Sequence, residues 1–445
     1  MKKFNFIINI SILIVLIIIH TNDVQAQNKL SLKDALAITL KENIDIKIKT
    51  HELKQAEKQK KIGLLGLLPK VKINGSISAN QGESSLEFAT PEFPKIENAT
   101  SESKSINGNI EFSYSLFNGL GSIYTYQKIK NQSDLKSIEL SIEIEQILLK
   151  TAKQFFDIAF LQEKTTIITD LLLVSKERYN KIKVQNTFGN ASKLDLLSAE
   201  IDLNKDSIDL MHAKFELDVA KNKFNQTLNN SLNSNFYVEN KIRINKNLLF
   251  SNLKEETKEN NNNILFHQYL IEITKNDKKI NSSYILPNVN LSLQYGYNNT
   301  ESNTSLILNQ ENLGLTGFIN LSWDVFGAIA NRKVTQNTRI ELESNKLKLT
   351  SIKQKIDQEF NTIFKQYQNN INLIDIETRN QLTSEKLFEK AKEEYYQGTL
   401  SKNDFRLAQI DVSLSKNRLN KTIYNTKILE LDLYRLAGKI LEDTL

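Results

Sequence analysis

The sequence predicts a mixed membrane α/β fold made of two tandem structural repeats, each with a strand pair and long coiled helices. Three observations support this. Residues 328–397 contain no glycine or proline, so a helix of 70 residues can continue unbroken over about 105 Å. Two ten-residue segments near residues 71 and 106 alternate apolar and polar side chains, as strands do. Both features recur 209 to 218 residues apart in the chain, which indicates an internal duplication.

The run 328–397 is the first arm of a helical hairpin. Apolar residues spaced three or four apart favour a coiled seam along it, and Gly398 permits the positive φ that ends such a helix. A second apolar-periodic arm follows, so the hairpin tip is predicted near residue 398. The members of the seam are Ile352, Ile356, Phe360, Ile363, Tyr367, Ile371 and Ile374.

The first repeat contains the same hairpin. At an offset of 209, residues 189–195 align with residues 398–404, and seven of the fourteen positions from Gly189 are identical. The run 122–188, which also lacks glycine and proline, aligns with the arm 328–397. We therefore place a first tip near residue 189.

Composition excludes several functional classes. The formal charge of +6 includes no basic block, which argues against nucleic-acid binding. There is no cysteine, so disulfides and thiolate metal sites are excluded, and the four histidines lack metal-ligand spacing. No phosphate-binding glycine loop occurs. We expect neither an enzyme nor a bound cofactor.

The N-terminus predicts export. Lys2 and Lys3 precede the apolar run Phe4–Ile19, and Val24-Gln25-Ala26 is typical of a signal-peptidase site. Residues 1–26 are therefore predicted to be a signal peptide, although an uncleaved anchor is the alternative.

The first repeat is assigned to residues 27–230. A helix over 31–66 begins with Ser31 and Asp34, and strands follow at about 71–80 and 106–117. A linker rich in Asn and Lys occupies 231–250.

The second repeat, residues 251–445, is predicted to hold a helix over 251–286 and strands at about 288–298 and 313–326. Tyr114 and Trp323 lie near strand ends, where such rings favour a membrane interface. A water-soluble antiparallel sheet with one buried face would show the same alternation.

Four strands cannot close a barrel, and an open edge in lipid leaves amides without partners. Several copies must then share one barrel. Eight strands would be filled by side chains, so a conduit requires at least three copies, and physical reasoning alone does not choose between three and four.

The duplicated order of helix, strand pair, long helix, Gly-x-x-x-x-x-Asp tip and returning helix resembles the TolC family of outer-membrane efflux proteins. The resemblance implies a homotrimer in the cell outer membrane, with a shared β-barrel that continues into a periplasmic α-helical barrel. It also implies a passive exit duct that works with a periplasmic adaptor protein and an inner-membrane transporter. Alternatives are a type I protein-secretion duct and a soluble periplasmic coiled-coil adaptor.

The resemblance directs attention to the hairpin tips. Gly189, Asp195, Gly398 and Asp404 match the family's periplasmic gate, where acidic rings would attract cations. Both carboxylates could instead be solvated or stabilise helix N-termini. The Ser-Lys pairs at 192–193 and 401–402 are candidates for adaptor docking, or simply a helix-starting serine followed by a solvated lysine.

The second tip also departs from the family. Leu400 stands where some members carry a latching arginine, and Arg406 lies in another register. Tyr395 and Tyr396 could supply hydrogen bonds there or simply pack in a seam. The docking candidates by name are Ser192, Lys193, Ser401 and Lys402.

Overall fold

The structure is a computed structural model that describes residues 29–90, 92–230, 236–240, 242–304 and 307–439. The predicted signal peptide lies outside the described residues. The chain divides into two compact units. Of the described residues, the sheet unit comprises those within His51–Glu139 and Asn263–Ile352, and the helical unit comprises those within Leu140–Asn262 together with residues 29–50 and 353–439.

Eight helices and six strands occur within the described residues. The helices are α1 (Leu32–Glu42), α2 (Ile44–Leu65), α3 (Gly121–Thr187), α4 (Lys193–Leu228), α5 (Phe250–Asn260), α6 (Asn262–Ser283), α7 (Val325–Gln397) and α8 (Lys402–Leu436). The strands are β1 (Lys29–Leu30), β2 (Lys70–Leu86), β3 (Ile96–Phe117), β4 (Tyr237–Val238), β5 (Asn288–Ser302) and β6 (Asn309–Ser322).

The sheet unit contains a four-stranded antiparallel sheet in the order β2-β3-β5-β6. Its register aligns the alternating residues of all four strands, so that one face is apolar and the other polar. One row across the apolar face is formed by Ile73, Ile110, Tyr295 and Leu315. Within the described residues, β2 and β6 each have one edge without a strand partner.

The helices of the sheet unit contact one another in the same order as the strands. Lys136 of α3 pairs with Glu52 of α2 at 3.5 Å, and Lys128 of α3 pairs with Asp277 of α6 at 2.7 Å. The remaining neighbours, α6 and α7, are joined by a 2.9 Å hydrogen bond from the Asn281 amide to the Thr338 hydroxyl. The helix order α2-α3-α6-α7 therefore matches the strand order β2-β3-β5-β6.

The helical unit contains two helical hairpins, which we name hairpin 1 (α3 and α4) and hairpin 2 (α7 and α8). Hairpin 1 carries a Lys164–Glu216 ion pair of 2.7 Å between its arms. The hairpins contact each other through Tyr424 of α8, whose ring lies 6.2 Å from those of Phe156 and Phe160 on α3. Four members of the seam predicted on α7 are buried, namely Ile356, Phe360, Tyr367 and Ile374.

The helices predicted over 31–66 and 251–286 are each broken once, which corrects that prediction. Asn43 separates α1 from α2, and Asn261 separates α5 from α6, both with extended backbone. The Asn43 amide donates to the carbonyl of Thr227, and the Asn261 amide donates to that of Leu436, both at 2.9 Å. The two asparagines and their two acceptors occupy equivalent repeat positions, so the break is itself duplicated.

The strands differ from their predicted bounds. β2 extends to Leu86 and β3 begins at Ile96, because polar residues beyond the predicted alternating segments still pair between these two strands. The strand predicted over 313–326 ends at Ser322, and Val325 already lies in α7. Asp324 explains this end, since its carboxylate accepts a 2.8 Å hydrogen bond from the Gly327 amide and so begins the helix.

The described part of the predicted linker 231–250 is anchored rather than free. β4 pairs in parallel with β1. The Tyr367 hydroxyl donates to the carbonyl of Asn245, whose own amide donates to Glu430 at 3.1 Å. These contacts fix the segment against α7 and α8, which a composition rich in Asn and Lys does not reveal.

Candidate functional site: the hairpin tips

Both hairpins turn at a glycine with left-handed backbone. Gly189 has φ 77° and Gly398 has φ 82°, a region that costs other residues about 1 kcal/mol or more. The amide after each glycine reaches back to the carbonyl five residues earlier, from Asn190 to Gln185 at 2.8 Å and from Thr399 at 3.0 Å. These bonds satisfy the last carbonyls of α3 and α7 and place the tips where the glycines predict them.

The returning helices begin with equivalent serine caps. Ser192 and Ser401 each accept a 3.1 Å hydrogen bond from the amide three residues on, that of Asp195 and Asp404 respectively. Each serine hydroxyl also donates to its aspartate, at 2.8 and 2.7 Å. The Ser192 amide further donates to Asp195, which completes a capping box at the first tip.

An ion pair joins the two tips. The Lys402 ammonium lies 2.6 Å from the Asp195 carboxylate. The hydrogen bond from Lys402, with those from Ser192, lowers the pKa of Asp195 to about 2. One candidate gate residue and one candidate docking residue are therefore partners.

A buried charge network lies behind the tips, between α8 and hairpin 1. The Arg406 guanidinium donates two hydrogen bonds to the Asp206 carboxylate, of 2.8 and 2.6 Å. Asp206 is 1% exposed and Arg406 8%. The Ser175 hydroxyl and the Gln409 amide complete the network, with Gln409 bonded both to Ser175 and to Arg406. A planar, doubly bonded pair of this kind fixes the register of α8 on hairpin 1.

Two further groups surround this pair. Asp202 lies 3.8 Å from Arg406 and also accepts a hydrogen bond from the buried Arg178. Burial would lower the pKa of Arg406, but Asp206, together with Asp202 and Asp209, raises it. The guanidinium is thus charged at every accessible pH.

Aromatic side chains pack beside the network. The ring of Tyr395 stacks on that of Phe405 at 4.5 Å, with 3° between the planes, and the ring of Phe388 also stacks on that of Phe405, at 5.9 Å. The Lys181 ammonium of α3 lies over the rings of both Tyr395 and Tyr396, at 4.8 and 4.4 Å. Tyr395 is therefore buried in the seam, whereas Tyr396 is 45% exposed, and both rings contact a cation of hairpin 1.

The other predicted site residues occupy exposed positions. Lys193 and Asp404 are exposed, and neither forms an ion pair with another described residue. The acidic-ring role of Asp195 and Asp404 stays a prediction, while the structure gives both a capping contact. Trp323 is 60% exposed and donates its indole N–H to the carbonyl of Ile285 at 3.2 Å; Tyr114 is also exposed.

The Arg406–Asp206 pair was missed by sequence reasoning. One signal existed: at offset 209, Arg406 aligns with Leu197 and Asp206 with Ser415, so both charges break the repeat. Charged residues that replace an apolar or small residue of a coiled seam are expected to be paired.

Among the described residues, no helix has the length and apolar character needed to cross a bilayer. No cluster of three or more histidine, aspartate or glutamate side chains suited to a metal occurs in the same part of the chain.

No protein-family model and no curated protein sequence matches the chain. Solved structures share its fold. The outer-membrane channel OprN is 14% identical over 92% of this chain and 90% of its own, with a TM-score of 0.76. The CmeC outer membrane channel of Campylobacter jejuni is 16% identical over 93% of this chain and 87% of its own, with a TM-score of 0.74. The MtrE outer membrane channel of Neisseria gonorrhoeae, in its open state, is 14% identical over 93% of this chain and 90% of its own, with a TM-score of 0.72. The chain therefore has the fold of these outer-membrane channels, which is the fold that the resemblance to the TolC family predicts.

Proposed function

We propose that the chain is an outer-membrane channel that serves as the passive exit duct of a tripartite efflux system. The sheet is the observation that carries this proposal. Its apolar face is solvent-exposed in the single chain, with Ile73 81% and Leu315 71% exposed. An apolar surface of this extent requires a covering. The alternating apolar part of each strand is about ten residues long, the length that crosses a bilayer when the strand is tilted.

The polar face supports a water-filled interior. Asn74 donates to Asn109 at 2.9 Å, and Asn107 bonds both to Ser76 and to Asn298 across three strands. These amides and hydroxyls bind water readily, and the charged residues on the same face include both signs. The duct is therefore proposed to take its cargo from its partner transporter rather than to select it in the strands.

Assembly follows from the unpaired edges of β2 and β6. In lipid, each edge would need a strand of another copy. We propose a homotrimer, whose three four-stranded sheets would give about twelve strands and an open interior. A periplasmic adaptor and an inner-membrane transporter are the proposed partners, with the hairpin tips as the adaptor contact.

A matched pair of variants tests the membrane placement. Ile110→Lys puts a charge at the centre of the apolar face, which costs about 2–4 kcal/mol in a lipid-facing strand. Asn109→Lys adds the same charge to the neighbouring residue of the polar face. We expect purified wild type and Asn109→Lys to produce stepwise conductance in planar bilayers, and Ile110→Lys to produce little. Equal insertion of both variants, or no conductance from wild type, would overturn the proposal.

A further inference from the structure

The ion pair between the tips has an exact repeat counterpart that the single chain leaves unmade. Lys402 and Asp195 connect the first turn of α8 to that of α4. At offset 209, Lys402 corresponds to Lys193 and Asp195 corresponds to Asp404, so both residue types are present at both tips. Lys193 and Asp404 are exposed and form no ion pair with a described residue.

Geometry explains why this second pair is not formed within the chain. The Lys402–Asp195 contact arises where hairpin 2 follows hairpin 1. A single chain has one contact between its hairpin 1 and its hairpin 2. In a closed ring of copies, a second kind of contact is formed between hairpin 1 of one copy and hairpin 2 of its neighbour.

The surface of α4 shows the same incompleteness. Tyr424 of α8 is buried against Phe156 and Phe160 at the junction within the chain. Its repeat counterpart on α4, Phe215, is 66% exposed. Exposed apolar residues lie along α4 at the three-and-four spacing of a coiled seam; they are Leu194, Leu197, Ile201, Ile208, Met211 and Phe215.

We propose that this face of α4 is covered by hairpin 2 of a second copy of the chain, with Lys193 paired to Asp404 of that copy. The inference rests on the proposed oligomeric channel and specifies its helical contact. It assigns Lys193 to the subunit contact rather than to adaptor docking. With Asp195 and Asp404 each paired to a lysine, these four charges would cancel, which argues against the acidic-ring role predicted from the sequence.

Cross-linking tests the pairing directly, because the chain contains no cysteine. Lys193→Cys with Asp404→Cys is treated in native membranes with a short bis-maleimide reagent. We expect covalent species of two and three chains on denaturing gels. Lys402→Cys with Asp195→Cys is the matched control, expected to cross-link within one chain and to remain at monomer mass.

The outcomes separate this inference from the proposed function. If the purified protein is oligomeric and the control cross-links, but Lys193→Cys with Asp404→Cys stays monomeric on gels, the pairing is wrong and the channel stands. A monomeric protein in detergent would overturn both. As a second measurement, Lys193→Asp is expected to lower the temperature at which the oligomer dissociates on gels, and the added Asp404→Lys to raise it again. No change in Lys193→Asp, or no recovery in the double variant, would also reject the pairing.

Discussion

Replacing Asp206 by alanine should be one of the most destabilising single changes in the helical unit. The carboxylate is 1% exposed and accepts both hydrogen bonds of the Arg406 guanidinium. Removing one partner of a buried ion pair costs about 3–5 kcal/mol, because the other charge stays buried without compensation. Asp202, at 3.8 Å from Arg406, and Gln409, at 3.2 Å, offset part of this loss. We therefore expect Asp206→Ala to lower the free energy of unfolding by about 3 kcal/mol, the lower end of that range.

Hydrogen exchange of the α8 amides, followed by mass spectrometry, measures this loss. A change of about 3 kcal/mol corresponds to an opening equilibrium roughly 150-fold more favourable, and to exchange faster by the same factor. The matched control is Glu393→Ala, which removes the exposed Lys390–Glu393 pair of 3.4 Å. That change is expected to cost less than about 0.5 kcal/mol.

The double variant Arg406→Met with Asp206→Leu separates burial from pairing. Replacing both charges by apolar side chains of similar volume is often neutral or stabilising. We expect it to recover most of the protection that Asp206→Ala loses. Exchange in Asp206→Ala no faster than in Glu393→Ala would refute the reasoning.

Three further predictions concern the pH and the backbone of the helical unit. Lys402 and Ser192 lower the pKa of Asp195 to about 2, below the value of about 4 expected in the unfolded chain. The ionised carboxylate therefore stabilises the tip fully above about pH 4, and this contribution is lost as the pH falls through 2. Tip amides should exchange faster as the pH falls through 2, after correction for intrinsic rates, and Lys402→Met should remove most of this difference. Burial raises the pKa of Glu145 to about 7, so the stability that this carboxyl contributes is greatest in acid and is lost as the pH rises through 7. Thermal unfolding should therefore occur at a lower temperature at pH 8 than at pH 5. Glu145→Gln should reduce this difference in unfolding temperature. Gly398→Ala meets no side chain within 4 Å but must hold φ 82°, and should lower the free energy of unfolding by about 1 kcal/mol in thermal melts; an unchanged melt would count against strain at that turn.

The tips were predictable because a local rule decides them. Gly398 and Gly189 each end a long run without glycine or proline, and only a residue tolerant of positive φ fits there. The serine caps at 192 and 401 follow from the same local chemistry. The apolar and polar faces of the sheet were equally visible, since alternation of period two fixes them residue by residue.

The helix breaks were not predicted because part of their cause is tertiary. Asn43 does offer a local signal, since its side-chain oxygen accepts hydrogen bonds from two amides in the first turn of α2 and so caps that helix. The side-chain amides of Asn43 and Asn261 also donate to carbonyls of other helices, those of Thr227 and Leu436, and the sequence does not reveal these contacts. The Arg406 pair was hidden for a related reason. Its partner lies 200 residues away in sequence, and no local pattern reports such a distance.

Membrane assembly by several copies is the central claim, and the mass of the purified full chain tests it most directly. Light scattering combined with size-exclusion chromatography, with the detergent contribution subtracted, should give a mass of three chains, each of 51.1 kDa before any signal peptide is removed. Without detergent, the exposed apolar face should make the protein aggregate. A stable monomer that remains dissolved in buffer without detergent would contradict the account.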